Sequence, residues 1–416
     1  MHRTEESCDD LLLRALPMSV RALSLFIVFS ICRLTTAQTS WRAEVLPVEL
    51  TVGYAVLAID ISGDGKLDIA IADSKRFIWL ENPTWETHVM HATPDAANDN
   101  VCFAPHDVDG DGQVDLAIGH DWQFGNSDSG GKIAWLHAPK NPREAWTYHP
   151  LGDEPTTHRM RWIDWDRDGK RDLVVAPLKG KGSRPPTFLD SPVRLLVFSP
   201  DPAHSIHDPW PMQVIDQSLH VSHNLEAVDM NRDGQEELLV ASFEGVTLLE
   251  PTGVDVRRTR LGSGQPGQAP AIGSSEIRLG ALANDGRYLA TIEPWHGDHV
   301  VVYTEPADPA QTLWTRHVLD MQLKWGHAVA CANLDDDPEQ ELIIGVRDQL
   351  DTQHRCGVRL YDPVDPSTGN WKRHLLEPGQ VAVEDLVTGD FDGDGDADIV
   401  AVGRATHNAV IYWNEK

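Results

Sequence analysis

Residues 390–398 read Asp390-Phe-Asp392-Gly-Asp394-Gly-Asp-Ala-Asp398, an acidic turn set between two largely apolar stretches. The same pattern stands at Asp60-Ile-Ser62-Gly-Asp64-Gly-Lys-Leu-Asp68 and at Asp107-Val-Asp109-Gly-Asp111-Gly-Gln-Val-Asp115. It returns at Asp164-Trp-Asp166-Arg-Asp168-Gly-Lys-Arg-Asp172 and at Asp229-Met-Asn231-Arg-Asp233-Gly-Gln-Glu-Glu237. Two degenerate copies fall at the remaining intervals: Asn333–Glu341, with Pro338 in place of the glycine, and Ala281–Leu289, which keeps only Asp285-Gly286. The starts lie 47 to 65 residues apart, enough for one four-stranded sheet and its connections, so each copy is read as one blade of a radial array.

A second repeat falls between the turns. Trp85-Glu-Thr-His88, Trp146-Thr-Tyr-His149, Trp210-Pro-Met-Gln213, Trp314-Thr-Arg-His317 and Trp371-Lys-Arg-His374 each open a further strand, and Val256–Leu261 is the copy without Trp. After the last acidic turn only two strands remain, Ala397–Val402 and Ala409–Trp413. Near the other end, Trp41-Arg-Ala-Glu44-Val45-Leu46 is an orphan that matches the Trp-opened strand. The expected fold is all-β: a seven-bladed β-propeller over residues 38–416, closed by the N-terminal strand completing the last blade.

In the acidic turns, positions one, three, five and nine converge because the glycine lets the chain reverse sharply. Eighteen of the twenty such positions in the five good copies are Asp or Glu, with Ser62 and Asn231 as the others. An all-oxygen donor set of this size suits a hard cation, so several structural Ca²⁺ ions are expected there, remote from any chemistry.

The 416 residues carry a formal net charge of −29, which makes nucleic acid and anionic membrane surfaces poor partners on electrostatic grounds. Bound calcium would offset much of that charge. Met18-Ser-Val-Arg21 followed by the apolar run Ala22–Cys32 and the small residues Thr35-Thr-Ala37 has the form of a secretory signal peptide over residues 1–37, with Met18 as an alternative start. The run is too short to span a bilayer, no other stretch is apolar enough to do so, and the chain is expected to be secreted or periplasmic. Cys102, Cys331 and Cys356 then remain, an odd and scattered set that makes no disulfide framework.

In a propeller the start of each innermost strand opens on the face opposite the acidic turns. Six residues before each turn stand Tyr54, Val101, His158, His223, Ser275, His327 and Glu384. Loops facing the same opening add His120-Asp121-Trp122, Lys179, Trp295-His296 and Arg347, while Arg159, Arg161, Glu226, Glu276 and Arg278 lie slightly further along the inner strands, where Arg161 and Glu226 could pair. Three histidines and a carboxylate brought to one axis suit a transition metal, most often Zn²⁺, held by His158, His223, His327 and Glu384. A metal-free acid–base or binding site, or a purely structural channel, are the other readings. The histidines of the Trp-opened strands share their repeat position with Glu44 and Gln213 and are read as surface residues, and Cys102 and Cys331 as small core residues.

The strand–turn–strand unit resembles the FG-GAP or VCBS repeat, which covers nearly the whole chain after residue 37. The His158-Arg159 and His223-Asn224 strand starts, the Trp295-His296 turn and His327 resemble the propeller domain of the aldos-2-ulose dehydratase family. That resemblance implies zinc-assisted loss of water from a keto-sugar such as 1,5-anhydrofructose; the cupin domains that follow the propeller in that family have no counterpart here. Propeller ulvan lyases are similar too, and eliminate from a uronate. Both imply a base that removes a proton next to a carbonyl or carboxylate, with a metal or arginine stabilising the enolate. In that frame Tyr54, His120 or His296 is the acid or base, and Lys179, Arg159 or Arg347 binds the enolate oxygen. Trp122 and Trp295 stack on a sugar ring, and Arg161 and Glu226 bind substrate. The competing class is a non-catalytic, calcium-stabilised extracellular binding or adhesion propeller, since this repeat serves both.

Overall fold

The computed structural model describes residues 40–416 except 94–97, 202, 254, 309, 336 and 352–353; the leader expected at 1–37 lies outside the described residues. The strands form seven antiparallel sheets of four. In the first blade they are Gly53–Ile59, Asp68–Asp73, Arg76–Glu81 and Glu86–Ala92, ordered from the axis outward. The next five blades repeat that order. The seventh is Val383–Gly389, Asp398–Gly403 and Ala409–Glu415, and its outer place is taken by Ser40–Val45. That strand runs antiparallel to Ala409–Glu415 with Trp41 opposite Asn414, and the Trp413 indole N–H donates to Glu44 Oε2 at 2.9 Å.

Burial follows from the stacking of blades. The second strands Asp68–Asp73, Asp172–Pro177, Glu237–Ser242, Glu341–Val346 and Asp398–Gly403 are buried throughout. Strands covered on both faces read as continuous apolar runs, not alternation. The core lies between blades: Ala70, Phe77 and Trp79 of the first pack with Phe103, Leu116 and Ala134 of the second. The repeated Trp is the wedge between them. Trp146 joins that cluster and its backbone N–H donates to Met90 O at 2.9 Å, while Trp314 reaches Leu261 O at 2.8 Å in the same way. Trp85 packs on Phe391 and Trp413 of the seventh blade, each at 6.4 Å between ring centroids. Truncating such a wedge to Ala should cost about 3–5 kcal/mol. Of the histidines that follow the wedge, His374 is exposed as expected, but His88 and His149 are half-buried because they cap core indoles: His88 lies 4.6 Å from Trp79 and His149 4.6 Å from Trp135.

The acidic turns have a built-in division of labour. The carboxylate at position nine is buried and ties the turn to the sheet. Asp68 accepts from the N–H groups of Ile61, Ser62 and Asn82, and Asp398 from those of Phe391 and Asn414. Position one accepts the N–H groups that follow it, as Asp60 does from Gly63 and Gly65. The glycine at position six sits at φ 87 in the first turn and 97 in the last, a left-handed conformation that costs glycine least. The degenerate turn Ala281–Leu289 buries Leu289 where the others bury a carboxylate. No helix among the described residues is long and apolar enough to cross a membrane.

Candidate active site

The starts of the third, fourth and sixth inner strands deliver His158, His223 and His327 to one point, and the turn at Trp295-His296 adds a fourth imidazole. His223, His296 and His327 place ring nitrogens within 4.8 Å of one another. His296 Nε2 lies 2.8 Å from His223 Nε2, and the His327 ring centroid lies 5.0 Å from that of His223 and 4.9 Å from that of His296. His296 stands in the expected place of His158 within this trio. His158 adjoins it, 4.6 Å from His223 between centroids, with its Nδ1–H directed at His223 O at 3.1 Å. Glu384 is also displaced from the expected ligand set: Arg404 donates to its Oε1 at 2.8 Å, and His327 Nε2 is 3.8 Å from that same oxygen.

The tautomer of His327 follows from an acceptor that has no proton to give: its Nδ1 faces the Glu384 carbonyl oxygen at 2.6 Å, so Nδ1 carries the proton and Nε2 presents a lone pair. His223 Nδ1 lies 2.6 Å from Glu276 Oε1, which sets a carboxyl group behind that ring. Glu276 is itself gripped by Asn224 Nδ2, and Arg159 lies 3.9 Å from its Oε1. Burial is the first cause that pushes His158, His223 and His296 well below the ordinary histidine range; Arg159 adds to it at His158, and the neighbouring His327 and Arg347 at His223 and His296. His158, His223 and His296 are therefore neutral at physiological pH. Three ring nitrogens within 4.8 Å of one another fit a transition metal with an open position, which would take the place of the 2.8 Å contact between His296 and His223.

The surroundings sort the other expected residues. Tyr54 donates to Asp99 Oδ2 at 2.8 Å and lies under Arg404; burial raises its phenol, which stays protonated. Arg347 stacks on Trp325 at 4.6 Å and lies 4.0 Å from Glu384 Oε2. Lys179 is buried between Phe124 and Phe188, donates to Phe124 O at 2.8 Å, and is pulled down to about 8 by burial. Trp122 lies 6.1 Å from His158 and Trp295 4.8 Å from His296. His120 is not at the site. It ends the second strand of its blade and turns outward, where its Nε2 meets Tyr148 OH at 3.0 Å; burial lowers it to about 4.

Arg161 and Glu226 are also misplaced as substrate contacts, and they do not pair. Arg161 donates to Asn224 Oδ1 at 3.0 Å, while Glu226 accepts from the Leu279 N–H at 2.8 Å. With Arg278 and Asp385 they line a cavity of about 360 Å³ further along the axis. Their alternating charges form a polar plug on the acidic-turn side of the histidines. Glu276 is where the sequence placed it, one position beyond Ser275 and close to the opening, but the sequence assigned it no role. One residue beside the site escaped the sequence reading. Trp325 lies just before the strand Gly326–Ala332, and nothing local distinguishes it.

Comparison with known proteins agrees with this arrangement. Residues 130–306 match the family described as aldos-2-ulose dehydratase, beta-propeller domain, a span that holds His158, His223, Glu276 and His296; residues 60–118 match an FG-GAP-like repeat. The chain is 28% identical over 295 residues to aldos-2-ulose dehydratase of Phanerodontia chrysosporium, covering 66% of this chain and 32% of that protein. The chain thus spans about a third of the length of that relative. Among solved structures, BBS1N in complex with ARL6DN aligns with a TM-score of 0.52 at 14% identity, covering 91% of this chain and 98% of that one. A chain of the mitotic checkpoint complex aligns with a TM-score of 0.55 at 10% identity, covering 97% and 99%. Likeness at that identity concerns the fold alone. The chain is a seven-bladed β-propeller with FG-GAP-like repeats, similar to the propeller domain of aldos-2-ulose dehydratase.

Proposed function

We propose that this protein is a carbohydrate lyase that eliminates water or an alcohol from a keto-sugar, or from a uronate, at the histidine opening of the propeller. The observation that carries the reading is the trio His223, His296 and His327, with nitrogens within 4.8 Å and the buried Glu276 behind His223. Its supports are the similarity to a carbohydrate dehydratase propeller and the neutral state of His223 and His296. The trio is the site for one Zn²⁺, which when bound supplies a Lewis acid for the substrate carbonyl. Ca²⁺ in the acidic turns is the proposed structural cofactor; Asp107, Asp109 and Asp115, and likewise Asp164, Asp166 and Asp172, bring oxygens within 4.8 Å.

The chain's own groups divide the remaining work. Elimination next to a carbonyl breaks a C–H bond and a C–O bond and forms a C=C bond, with no net oxidation. His158 takes the proton: its Nδ1–H is spent on His223 O, it is held neutral, and its Nε2 has no hydrogen-bond partner in the protein among the described residues. Arg347, which also depresses His223 and His296, lies close enough to offset the charge of the developing enolate. Tyr54, kept protonated by burial, returns a proton to the leaving oxygen. The test is proton NMR of keto-sugars and an unsaturation assay on uronates, with wild type and His223→Asn. Product from wild type and none from the variant is expected. Equal product from both, or none from either across both substrate classes, would end the reading.

A further inference from the structure

Beside the histidines lies a second feature that the chemistry above leaves unused. A bay of about 520 Å³ opens at the surface, lined by Pro270, Pro294, Trp295, Met321, Leu323 and Trp325, with His296 in its wall. The lining is apolar yet in part exposed: Met321 is 64% and Trp325 36% accessible. The indoles of Trp295 and Trp325 lie 4.8 and 5.2 Å from the His296 ring, one on each side in sequence, so the bay and the histidine trio share a wall. The backbone enforces this: His296 and Trp325 both adopt left-handed conformations, φ 50 and φ 57, which bulky residues rarely accept without a local reason.

A free monosaccharide that fills the trio leaves this bay to solvent. Exposed methionine and indole at the mouth of a reaction site make sense if the substrate brings an apolar substituent of its own. We infer that the bay is a leaving-group subsite for an aromatic aglycone, and that the preferred substrate is an aryl glycoside bearing a ketone two carbons from the anomeric carbon. This rests on the elimination reading and narrows its substrate class. In the step, the C2–H proton goes to the base, the bond from the anomeric carbon to the aryl oxygen breaks, and C1=C2 forms. The aryl oxygen leaves as a phenol after gaining a proton. Two indoles supply flat faces for an aryl ring, and Lys324 at the rim faces its oxygen substituents.

The experiment compares a 4-nitrophenyl and a methyl 3-keto-β-glucoside, with calorimetric binding of unoxidised phenyl β-glucoside run alongside. Wild type, Trp325→Ala and Met321→Asp are compared, the last at a position too exposed to threaten folding. Expected are nitrophenol release, a KM roughly tenfold lower for the aryl substrate, and a roughly five- to tenfold rise in that KM in either variant, with the methyl substrate unaffected in Met321→Asp. Equal KM values for the two substrates, or an equal effect of Met321→Asp on both, would overturn the subsite while leaving elimination intact. If no keto-sugar reacts but phenyl β-glucoside binds and Trp325→Ala abolishes it, the aryl site stands and the elimination reading falls. Absence of both reaction and binding overturns both.

Discussion

The inner strands have two kinds of end. Where they leave the axis they run into the same acidic turn, with buried carboxylates Asp68, Asp115, Asp172, Glu237, Glu341 and Asp398 at one repeat position. Where they begin, no such rule holds: Tyr54, Val101, His158, His223, Ser275, His327 and Glu384 occupy matching places. In a structure of equal blades, what recurs around the ring serves the ring, because every blade has the same packing problem. What departs from the repeat must answer to something lying on the axis. The sixfold recurrence of a buried carboxylate tied to backbone N–H groups is a folding device; the gathering of imidazoles from the fourth, fifth and sixth blades is what the proposed function assigns to chemistry.

The contrast can be broken most forcefully by removing calcium. Treatment with a chelator should lower Tm by roughly 15 °C or more, since several sites each contribute about 3 kcal/mol at saturating ion. Differential scanning calorimetry with and without added Ca²⁺ checks this, and a Tm indifferent to chelation would mean that the turns are held by their hydrogen bonds alone. The opposite end should show the reverse profile. His223→Asn should cut elimination about 10³-fold and leave Tm within a few degrees, because the change keeps a side chain of similar shape in a polar pocket. A loss of fold with a loss of activity would erase the distinction between the two ends.

Glu276→Gln sharpens the picture further. The amide can no longer hold the Nδ1 proton of His223 as a carboxylate does, and a 10- to 100-fold loss of metal affinity or activity is expected, with KM little changed. Metal titration and the split between kcat and KM separate this from simple damage. The smallest effect belongs to Lys179. Its amine falls from 10.5 to about 8 in the folded protein, so the unfolded chain binds the proton more readily across that window. Stability from this group is present above pH 10.5 and is lost as pH falls toward 8. Wild type should therefore lose stability relative to Lys179→Met between pH 10 and 8, and the two should run parallel below that. Urea denaturation at three pH values measures it; a gap that widens on going up in pH would contradict the assignment.

The fold was legible because a propeller writes its period into the chain. The glycine at position six, the carboxylates around it and the Trp wedge are local necessities that most blades repeat, and the strand Ser40–Val45 matched the gap in the seventh blade. The site was legible only where a register could be counted. His223 and His327 sit at a fixed offset from good turns, and His296 follows a conspicuous Trp. Counting placed Glu276 near the opening but gave it no role, because the fifth turn has decayed and the offset itself falls on Ser275. Counting failed at His120: the residue reaches the right loop, but its ring meets Tyr148 and not the histidines. Side-chain direction at a strand terminus depends on tertiary partners, and a repeat cannot encode it. His158 arrived at the right place with a different role, because its bond to a neighbouring carbonyl fixes which nitrogen remains free.

The most direct test of two chemically distinct ends is elemental analysis by mass spectrometry of untagged protein dialysed against calcium-containing buffer, with His296→Ala and Asp390→Asn measured alongside. The account predicts about one zinc and several calciums per chain. Zinc should be lost in His296→Ala with calcium unchanged, and one calcium lost in Asp390→Asn with zinc unchanged. Calcium alone in the wild type, or zinc retained by His296→Ala, would contradict it.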